Sequence, residues 1–391
     1  MFLSDIQKRP KMSIEQLSFH GLRNLQPFTL HPGAGINLIS GANGSGKTSL
    51  LEGIHILGMG RSFRTRQIKN AIQHDAGELT LFGRLAGEHG GSATTLGVRR
   101  LRDERELELR LRGERPARLS DMVEALPLQL INPDAFRLLE GSPAGRREFL
   151  DWGVFHVKHE FLTGWKRTRR ALKHRNALLR HGRIDAKQLD AWEHELATWG
   201  EQVDQLRRDW FSAFLPVFEQ TLSALLPLEG LSLHYARGWD KKRSLSEVLR
   251  AARASDEHMG FTQQGPQRAD LRIRVNKKPA IEVLSRGQQK LVVSALKLAQ
   301  GRFLESTLEP GTAGRHCVYL IDDLPAELDD YHQQRFCELL ESMQCQAFIT
   351  SVEPNALHNR WLPDTPVTMF HVKHKGSGEP GQPGLSRLVE G

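Results

Sequence analysis

The stretch GANGSGKTS, residues 41–49, decides the fold of this chain. It fits the pattern G-x-x-x-x-G-K-[ST], it follows the short apolar run GINLISG, and it precedes TSLLEGIHILG, whose apolar residues have helical spacing. Glycines in such a loop allow backbone N–H groups to curl around phosphate oxygens. The stretch therefore predicts a P-loop between a strand and a helix. The candidate nucleotide-binding residues of this loop are Gly41, Ala42, Asn43, Gly44, Ser45, Gly46, Lys47, Thr48 and Ser49.

Two acidic residues follow a second apolar run, VYLIDD, near the other end of the chain. The run predicts a buried strand, and Asp322 and Asp323 stand at its carboxyl end. Together with Thr48, Asp322 is expected to hold Mg²⁺, the aspartate through a water molecule. Asp323 is placed to orient or deprotonate an attacking water. Lys47 is expected to reach the β- and γ-phosphates, so these residues predict a site that hydrolyses a nucleoside triphosphate.

A second anion site is predicted in LSRGQQKLVVSALKLAQ, residues 284–300. Ser285, Gly287 and Gln288 open an apolar helix, where free N–H groups and the positive end of the helix dipole favour an anion, and Arg286 adds charge. A P-loop already surrounds its own phosphates. We therefore expect this segment of one subunit to close on the γ-phosphate of ATP held by another subunit, which makes Ser285 a candidate catalytic residue. Two such sites would form an ATP-dependent isologous homodimer.

Composition limits the classes of protein that the chain can be. It has 391 residues, is 39% hydrophobic and carries a formal net charge of +8, which favours a polyanionic partner such as nucleic acid. No apolar run is long enough for a membrane span, and no signal peptide is visible, so no membrane partner is expected. Three cysteines without a CxxC pair predict a reducing, cytoplasmic location. Patterned sequence begins directly after Met12, which is a second candidate start.

The order of patterns along the chain predicts an α/β fold with an inserted helical arm. Residues 13–57 have the pattern strand, loop, strand, P-loop, helix, and residues 78–112 alternate as antiparallel strands do. Strand patterns return from residue 271. We predict a first head segment at 1–112, a helical arm at 113–267, a second head segment at 268–375 and a flexible tail at 376–391.

The arm is predicted to be an antiparallel helical hairpin with a turn at 181–185. Its second helix has apolar residues in steps of three and four, as in a heptad seam, and about 25 residues would span roughly 40 Å. These seam residues are Leu189, Trp192, Leu196, Trp199, Val203, Leu206 and Trp210.

Basic residues outside the phosphate sites are candidate DNA contacts. Arg61 and Arg64, in GRSFRT, could contact DNA phosphate or the nucleotide across a dimer, and a structural loop is the alternative. Lys166 and Arg170 share one face of the first arm helix, which is either a surface for DNA or a partner, or simply a solvated helix face.

Several further motifs, together with those above, closely resemble the bacterial RecF family of DNA replication and repair proteins from Met12 to about Lys375. They are SFHGLRNL, GRSFRT, INPDAF, RREFLDWGVFH, GPQRADL, LIDDLPAELD and MFHVKH. The resemblance implies an ABC-type ATPase head of mixed sheets with a helical arm, related to SMC proteins. It implies ATP and Mg²⁺ as cofactors and a slow, DNA-stimulated ATPase that dimerises on DNA, both duplex and single-strand/duplex junctions. It also implies work with RecO and RecR in loading recombinase at gaps, and support of the SOS response.

The resemblance also implies roles for single residues. Lys47 and Thr48 take the P-loop positions, Ser285 opens the signature segment, Asp322 and Asp323 take the Walker B positions, and Asp329 is the D-loop residue. Broader ABC ATPases have Glu where Asp323 stands, and the shorter Asp would fit slow turnover.

The same resemblance leaves three positions open. Thr350 and Ser351 stand near the usual switch histidine. Gln267 replaces an expected histidine. The Q-loop residue is either Gln129 or Asn132.

Two other functions are weighed against this one. A structural SMC-like ATPase would carry a much longer arm or a CxxC zinc hook. The ATPase subunit of an ABC transporter would have its signature much closer to the P-loop and would need a membrane partner.

Overall fold

The protein is described by a computed structural model that covers residues 13–87, 92–180, 185–307, 316–323, 328–353, 357–374 and 385–390. The strands are β1 Ile14–His20, β2 Phe28–Leu30, β3 Ile36–Ser40, β4 Glu78–Leu85, β5 Thr94–Leu101, β6 Glu108–Leu111, β7 Leu128–Ile131, β8 Leu231–Ala236, β9 Asp270–Val275, β10 Lys278–Pro279, β11 Val318–Ile321, β12 Ala347–Ser351, β13 Val367–His374 and β14 Ser386–Glu390. The helices are α1 Lys47–Met59, α2 Leu119–Ala125, α3 Arg137–Glu140, α4 Pro143–Val157, α5 Phe161–Arg180, α6 Ala186–Leu225, α7 Leu245–Ala251, α8 Arg253–Met259, α9 Ala280–Val283, α10 Arg286–Ser306 and α11 Asp330–Met343.

The chain divides into two compact units, and the first comprises residues 1–135 and 301–391. It contains a five-stranded antiparallel sheet in the order β2-β1-β4-β5-β6 and a six-stranded sheet in the order β14-β13-β3-β12-β11-β7. The five strands from β13 to β7 run parallel, and β14 pairs antiparallel with β13. The antiparallel strands predicted at 78–112 are thus confirmed, as is the buried strand predicted at VYLI, and the strand patterns predicted from residue 271 onward include β12 and β13.

The helix that follows the P-loop is the core of this unit. Nearly all residues of α1 are buried, in one apolar cluster with side chains from both sheets. A helix that is apolar on all sides is stable only inside the molecule. Gly53 permits this packing, since a Cβ there would lie 2.4 Å from the Phe19 ring. The P-loop end of α1 is therefore fixed by the core that the rest of the helix forms.

The second unit comprises residues 136–300 and contains the helical arm. Helices α5 and α6 are the predicted hairpin. The predicted turn at 181–185 lies outside the described residues except for Asp185, which caps α6 by accepting hydrogen bonds from two backbone N–H groups. The second arm helix is longer than the roughly 40 Å predicted from the sequence. Helix α6 has 40 residues, about 60 Å at 1.5 Å per residue. It is longer because the buried positions continue beyond Trp210 at Phe214 and Phe218, and the helix passes through Pro216.

The two compact units do not have the predicted segment boundaries. The second unit begins and ends later than the insertion predicted at 113–267, since α2 and β7 belong to the first unit. Strand β9, predicted as part of the head, instead forms a three-stranded sheet with β8 and β10 inside the second unit. In the predicted flexible tail, residues 386–390 form the ordered strand β14, and residues 376–384 lie outside the described part of the chain.

A buried ion-pair cluster stabilises the arm. Arg175 on α5 is fully buried, and its guanidinium group donates to Glu193 on α6 at 3.0 Å and to Asp256 on α8 at 2.7 Å. Thr262 accepts a further hydrogen bond from the same group. Because a buried guanidinium is stable only when its charge is paired, this cluster holds the three segments together.

Candidate nucleotide-binding site

The P-loop connects the carboxyl end of β3 to the first turn of α1. Gly44 and Gly46 have φ values of +76° and +109°, and a Cβ at Gly44 would meet open space. Residues with side chains rarely adopt such values, so the glycines allow the tight turn. The loop thus ends at the N-terminus of a buried helix, where N–H groups and the helix dipole favour an anion.

Two polar side chains of the loop motif, Lys47 and Ser45, have the arrangement that a phosphate site needs. Lys47 Nζ donates to the carbonyl oxygens of Gly41 at 2.7 Å and Ala42 at 3.0 Å. Ser45 Oγ is buried and has no hydrogen-bond partner among the described residues. A polar atom buried without a partner is costly, and a phosphate oxygen would accept its hydrogen bond. Lys47 and Ser45 therefore fit a bound phosphate.

The electrostatics of Lys47 also fit an anion. Burial lowers the pKa of its ammonium group from the ordinary value, and the charges of Asp323 and Asp322 offset part of that effect. A partly buried cation with two carboxylates nearby is stabilised further by a phosphate group in contact with it.

Asp322 lies beside the P-loop, as the sequence predicts. Strand β11 lies between β7 and β12 in the parallel sheet, and β12 pairs with β3, so the strand ends meet at one edge. There Thr48 Oγ donates to both carboxylate oxygens of Asp322, at 3.0 and 3.1 Å. A hydroxyl and a carboxylate in contact form the oxygen donor set that Mg²⁺ prefers, and both would hold the ion, the carboxylate through a water molecule.

Thr350 at the end of β12 links the two acidic residues. Its Oγ donates to Asp322 Oδ1 at 2.8 Å and accepts the backbone N–H of Asp323 at 2.8 Å. Asp323 has a φ of +58°, a strained value for a residue with a side chain, and this hydrogen bond helps to hold it there. Thr350 stands near the position where a switch histidine is usual. Its hydrogen bonds hold Asp322 and Asp323 in place.

Of the two Q-loop alternatives, Asn132 is nearer to this sheet edge. It directly follows β7, whose last residue Ile131 pairs with Ile321 just before Asp322. Its Oδ1 accepts from the Ala135 N–H at 2.9 Å. Gln129 lies two residues from the end of the strand and is buried. The assignment of the Q-loop stays a prediction.

The segment around Ser285, in the second unit, is the exposed start of α10. Ser285 and Gln288 form a reciprocal cap: the Ser285 N–H donates to Gln288 Oε1 at 3.0 Å, and the Gln288 N–H donates to Ser285 Oγ at 3.3 Å. Ser285, Arg286 and Gly287 are exposed, and a Cβ at Gly287 would meet open space. The segment can therefore accept a ligand from outside the chain.

Asp329, the predicted D-loop residue, is the N-cap of α11. Its carboxylate accepts the His332 N–H at 2.9 Å and also contacts the His332 ring, and these hydrogen bonds lower the pKa of Asp329. Its role at a nucleotide stays a prediction.

The basic loop GRSFRT is fixed by a carboxylate that sequence reasoning missed. Glu52 on α1 is fully buried and accepts hydrogen bonds from Arg23 at 2.9 and 2.8 Å and from Ser62 at 2.5 Å. Arg64 adds one contact at 3.3 Å and is itself 42% exposed. Because Arg23 already neutralises Glu52, the charge of Arg64 is not needed to neutralise that carboxylate. Arg61 is exposed in the same loop. The sequence feature that could have indicated this role of Glu52 is an acidic residue within a mostly apolar helix.

The basic residues of the arm lie on α5 in the second unit. Lys166 and Arg170 are exposed, and the Arg170 guanidinium lies 5.8 Å from the centre of the Trp192 ring. Trp192 is half-buried and stacks on His174. The tryptophan therefore packs within the arm, and DNA contact by the two basic side chains stays a prediction.

Comparisons with known proteins agree with this architecture. A family model described as RecF/RecN/SMC N terminal domain matches residues 13–377. A solved structure of the recombination mediator protein RecF with ATP has a TM-score of 0.81 at 22% identity, covering 94% of this chain and 97% of that one. An Smc head bound to the C-winged helix domain of ScpA has a TM-score of 0.58 at 18% identity, covering 96% and 97%. The fold and the site thus define a P-loop ATPase head of the RecF/RecN/SMC class.

Curated relatives narrow this class to one family. A protein of Chromohalobacter salexigens named DNA replication and repair protein RecF is 65% identical over 363 residues, 93% of this chain and 98% of the relative. A protein of the same name from Pseudomonas syringae is 51% identical over 362 residues, 93% of this chain and 97% of the relative. The chain belongs to the RecF family. Among its described residues, none of the helices is both long and apolar enough to cross a membrane.

Proposed function

We propose that this chain is an ATP-dependent DNA-binding protein of recombinational repair and replication. The observation that carries the proposal is the contact of Thr48 with Asp322 beside a P-loop whose Ser45 hydroxyl is buried without a partner among the described residues. The names of the relatives, and a solved RecF structure described with ATP in the RecFOR pathway, support it.

In the proposed mechanism, Lys47 and the loop N–H groups bind the phosphates of ATP. Thr48 and Asp322 hold Mg²⁺, which supplies charge neutralisation on the phosphate oxygens when bound. Asp323 orients the attacking water and accepts its proton. Because the Asp323 side chain is one methylene shorter than that of Glu, we expect slow turnover. We also expect DNA to stimulate the ATPase.

The second step of the proposal is closure of a homodimer. Ser285, Gly287 and Gln288 of one subunit contact the γ-phosphate held by the other, and Asp329 contributes at the same interface. The exposure of Ser285 and Gly287 and the capped helix N-terminus support this role. ATP then stabilises the dimer, and hydrolysis opens it.

The biological role is the broadest part of the proposal. The dimer forms on duplex DNA and single-strand/duplex junctions at gaps, with Arg61, Arg64, Lys166 and Arg170 as candidate phosphate contacts. There it assists recombinase loading with RecO and RecR in the cytoplasm and supports the SOS response. The relatives reported above favour this role over a structural SMC-like ATPase or a transporter subunit.

A comparison of two variants tests the proposal. Lys47→Ala should weaken ATP binding itself. Ser285→Arg should leave ATP binding to a monomer nearly intact and abolish hydrolysis, because only closure is blocked. Normal hydrolysis by Ser285→Arg would refute the shared site, and unchanged ATP affinity of Lys47→Ala would remove Lys47 from it. Duplex DNA binding that ATP does not strengthen would refute the coupling to DNA.

A further inference from the structure

The segment between β1 and β2 lies directly against the P-loop. Asn24 Nδ2 donates to the carbonyl oxygen of Gly44 at 3.0 Å, and Asn24 Oδ1 accepts from Ser49 Oγ at 3.4 Å. A Cβ added to Gly46 would lie 2.6 Å from Leu25 Cδ2, so the two segments are in close contact. Asn24 thus contacts both the loop and the first turn of α1.

The hydrogen bond to Gly44 fixes the orientation of one peptide group in the loop. A trans peptide is planar, so the Gly44 carbonyl and the Ser45 N–H point in opposite directions. Asn24 holds the carbonyl, and the Ser45 N–H donates to Ala42 O at 3.1 Å. The peptide is therefore held on both sides. A loop that binds phosphate through its backbone loses less entropy on binding when its peptide groups are already fixed.

Asn24 is in turn held by the last strand of the described chain. Ser386 of β14 is fully buried, its N–H donates to the Asn24 carbonyl at 2.7 Å, and its carbonyl accepts the Gln26 N–H at 2.8 Å. The second N–H of the Asn24 amide faces Ser386 Oγ at 3.3 Å. Strand β14 is anchored by its pairing with β13 and by Leu388, which packs against the core of the first unit. Contacts therefore run from β14 through Asn24 to the P-loop.

We propose that Asn24 and Ser386 are positioning residues for nucleotide binding, and that strand β14 sets the nucleotide affinity of the P-loop through Asn24. This inference rests on the proposed ATP site. In this proposal, both residues act through the loop and not by contact with the phosphates. Their effect on the site is to hold the Gly44 peptide in place before the nucleotide arrives.

The test is a double-mutant cycle on the full chain. One change is Asn24→Ala, which is neutral and adds no charge near the phosphates. The other removes the last six residues, 386–391. The dissociation constant for a fluorescent ADP analogue with Mg²⁺ is measured for each variant, alongside thermal unfolding without nucleotide. Arg387→Ala is the control, since this side chain is exposed on the same strand.

Each single change should weaken binding about five- to tenfold, the effect of one or two lost hydrogen bonds. The combined variant should be no weaker than the weaker single variant, because both changes act through the same contact. Arg387→Ala should bind like the unaltered chain. Additive effects, or a folded truncation that binds normally, would overturn the inference.

Two further results keep the test decisive. If the truncated chain does not fold, Ser386→Ala replaces it, with an expected loss of about two- to fivefold and the same lack of additivity with Asn24→Ala. If the unaltered chain binds no Mg²⁺-nucleotide, the proposed function fails. If the unaltered chain binds and Lys47→Ala binds weakly while Asn24→Ala binds normally, only the positioning role fails.

Discussion

Replacing Glu52 by Gln should destabilise the first unit and loosen the basic loop after the P-loop. The substitution keeps the volume of the side chain and removes its charge. Glu52 is fully buried, whereas its main partner Arg23 has 23% of its side chain exposed. The amide can accept from one donor of Arg23, but its NH₂ group then faces the other donor. The variant therefore loses at least one charge-assisted hydrogen bond in a buried position.

The magnitude follows from these contacts. A hydrogen bond to a charged group contributes about 1.5–3 kcal/mol, and breaking a fully buried pair costs about 3–5 kcal/mol. Water can reach Arg23, so we expect about 2–3 kcal/mol for Glu52→Gln. For a unit of this size, that lowers the melting temperature by about 5–10 °C in differential scanning calorimetry. The matched control is Glu78→Gln, whose pair with Arg99 is exposed, and it should change the melting temperature little.

The loss of stability caused by Glu52→Gln should depend on pH. Burial, the largest single effect, raises the pKa of Glu52. The hydrogen bonds from Arg23 and Ser62 and the charges of Arg23 and Arg64 outweigh it, so the pKa lies below its ordinary value. A carboxylate with a lowered pKa stabilises the fold above its unfolded pKa of about 4.3, and this is lost as the pH falls through the folded-state pKa. The difference in melting temperature should be full at neutral pH and shrink below about pH 4. Equal melting temperatures at neutral pH would refute the reasoning.

Three other expectations concern the site and the arm. Asp323→Asn should lower the rate of ATP hydrolysis by about 10²–10⁴-fold and leave nucleotide affinity nearly unchanged, as single-turnover and binding assays would show. The double change Lys166→Gln and Arg170→Gln should lower the salt dependence of duplex binding by about 2 in the log–log slope, and an unchanged slope would remove both residues from the DNA contact. Arg175→Met should destabilise the arm unit by about 3–5 kcal/mol in denaturant unfolding, since it leaves the buried Asp256 carboxylate without its cation and removes one of the two arginines that pair with Glu193.

The sequence was sufficient for the elements with strong local patterns. The P-loop is defined by a continuous motif between a strand and a helix, and the heptad positions of α6 recur along one helix face. Asp322 could be located because it ends an apolar run that belongs in a parallel sheet. Each of these features depends on residues that are close together in the chain.

Features that depend on distant contacts could not be predicted in this way. Alternation in β9 indicates a strand but not the sheet to which it belongs. Strand β14 is short, follows a run rich in glycine and proline, and is stabilised by pairing with β13. The Asn24–Ser386 contact joins residues 362 positions apart, which no local pattern reveals. The contacts of Thr350 with Asp322 and Asp323 could not be predicted either, because its two hydrogen bonds form only when β11 and β12 lie side by side.

Sedimentation velocity of the purified chain, with and without Mg²⁺-ATP, would show directly whether ATP joins two subunits. We expect a monomer without nucleotide and a dimer with it, because the P-loop of one subunit and Ser285 of the other share the nucleotide. Ser285→Arg should stay monomeric under both conditions while still binding ATP. A monomer in both conditions for the unaltered chain, with ATP shown to be bound, would contradict the claim that ATP alone closes the dimer through the shared site.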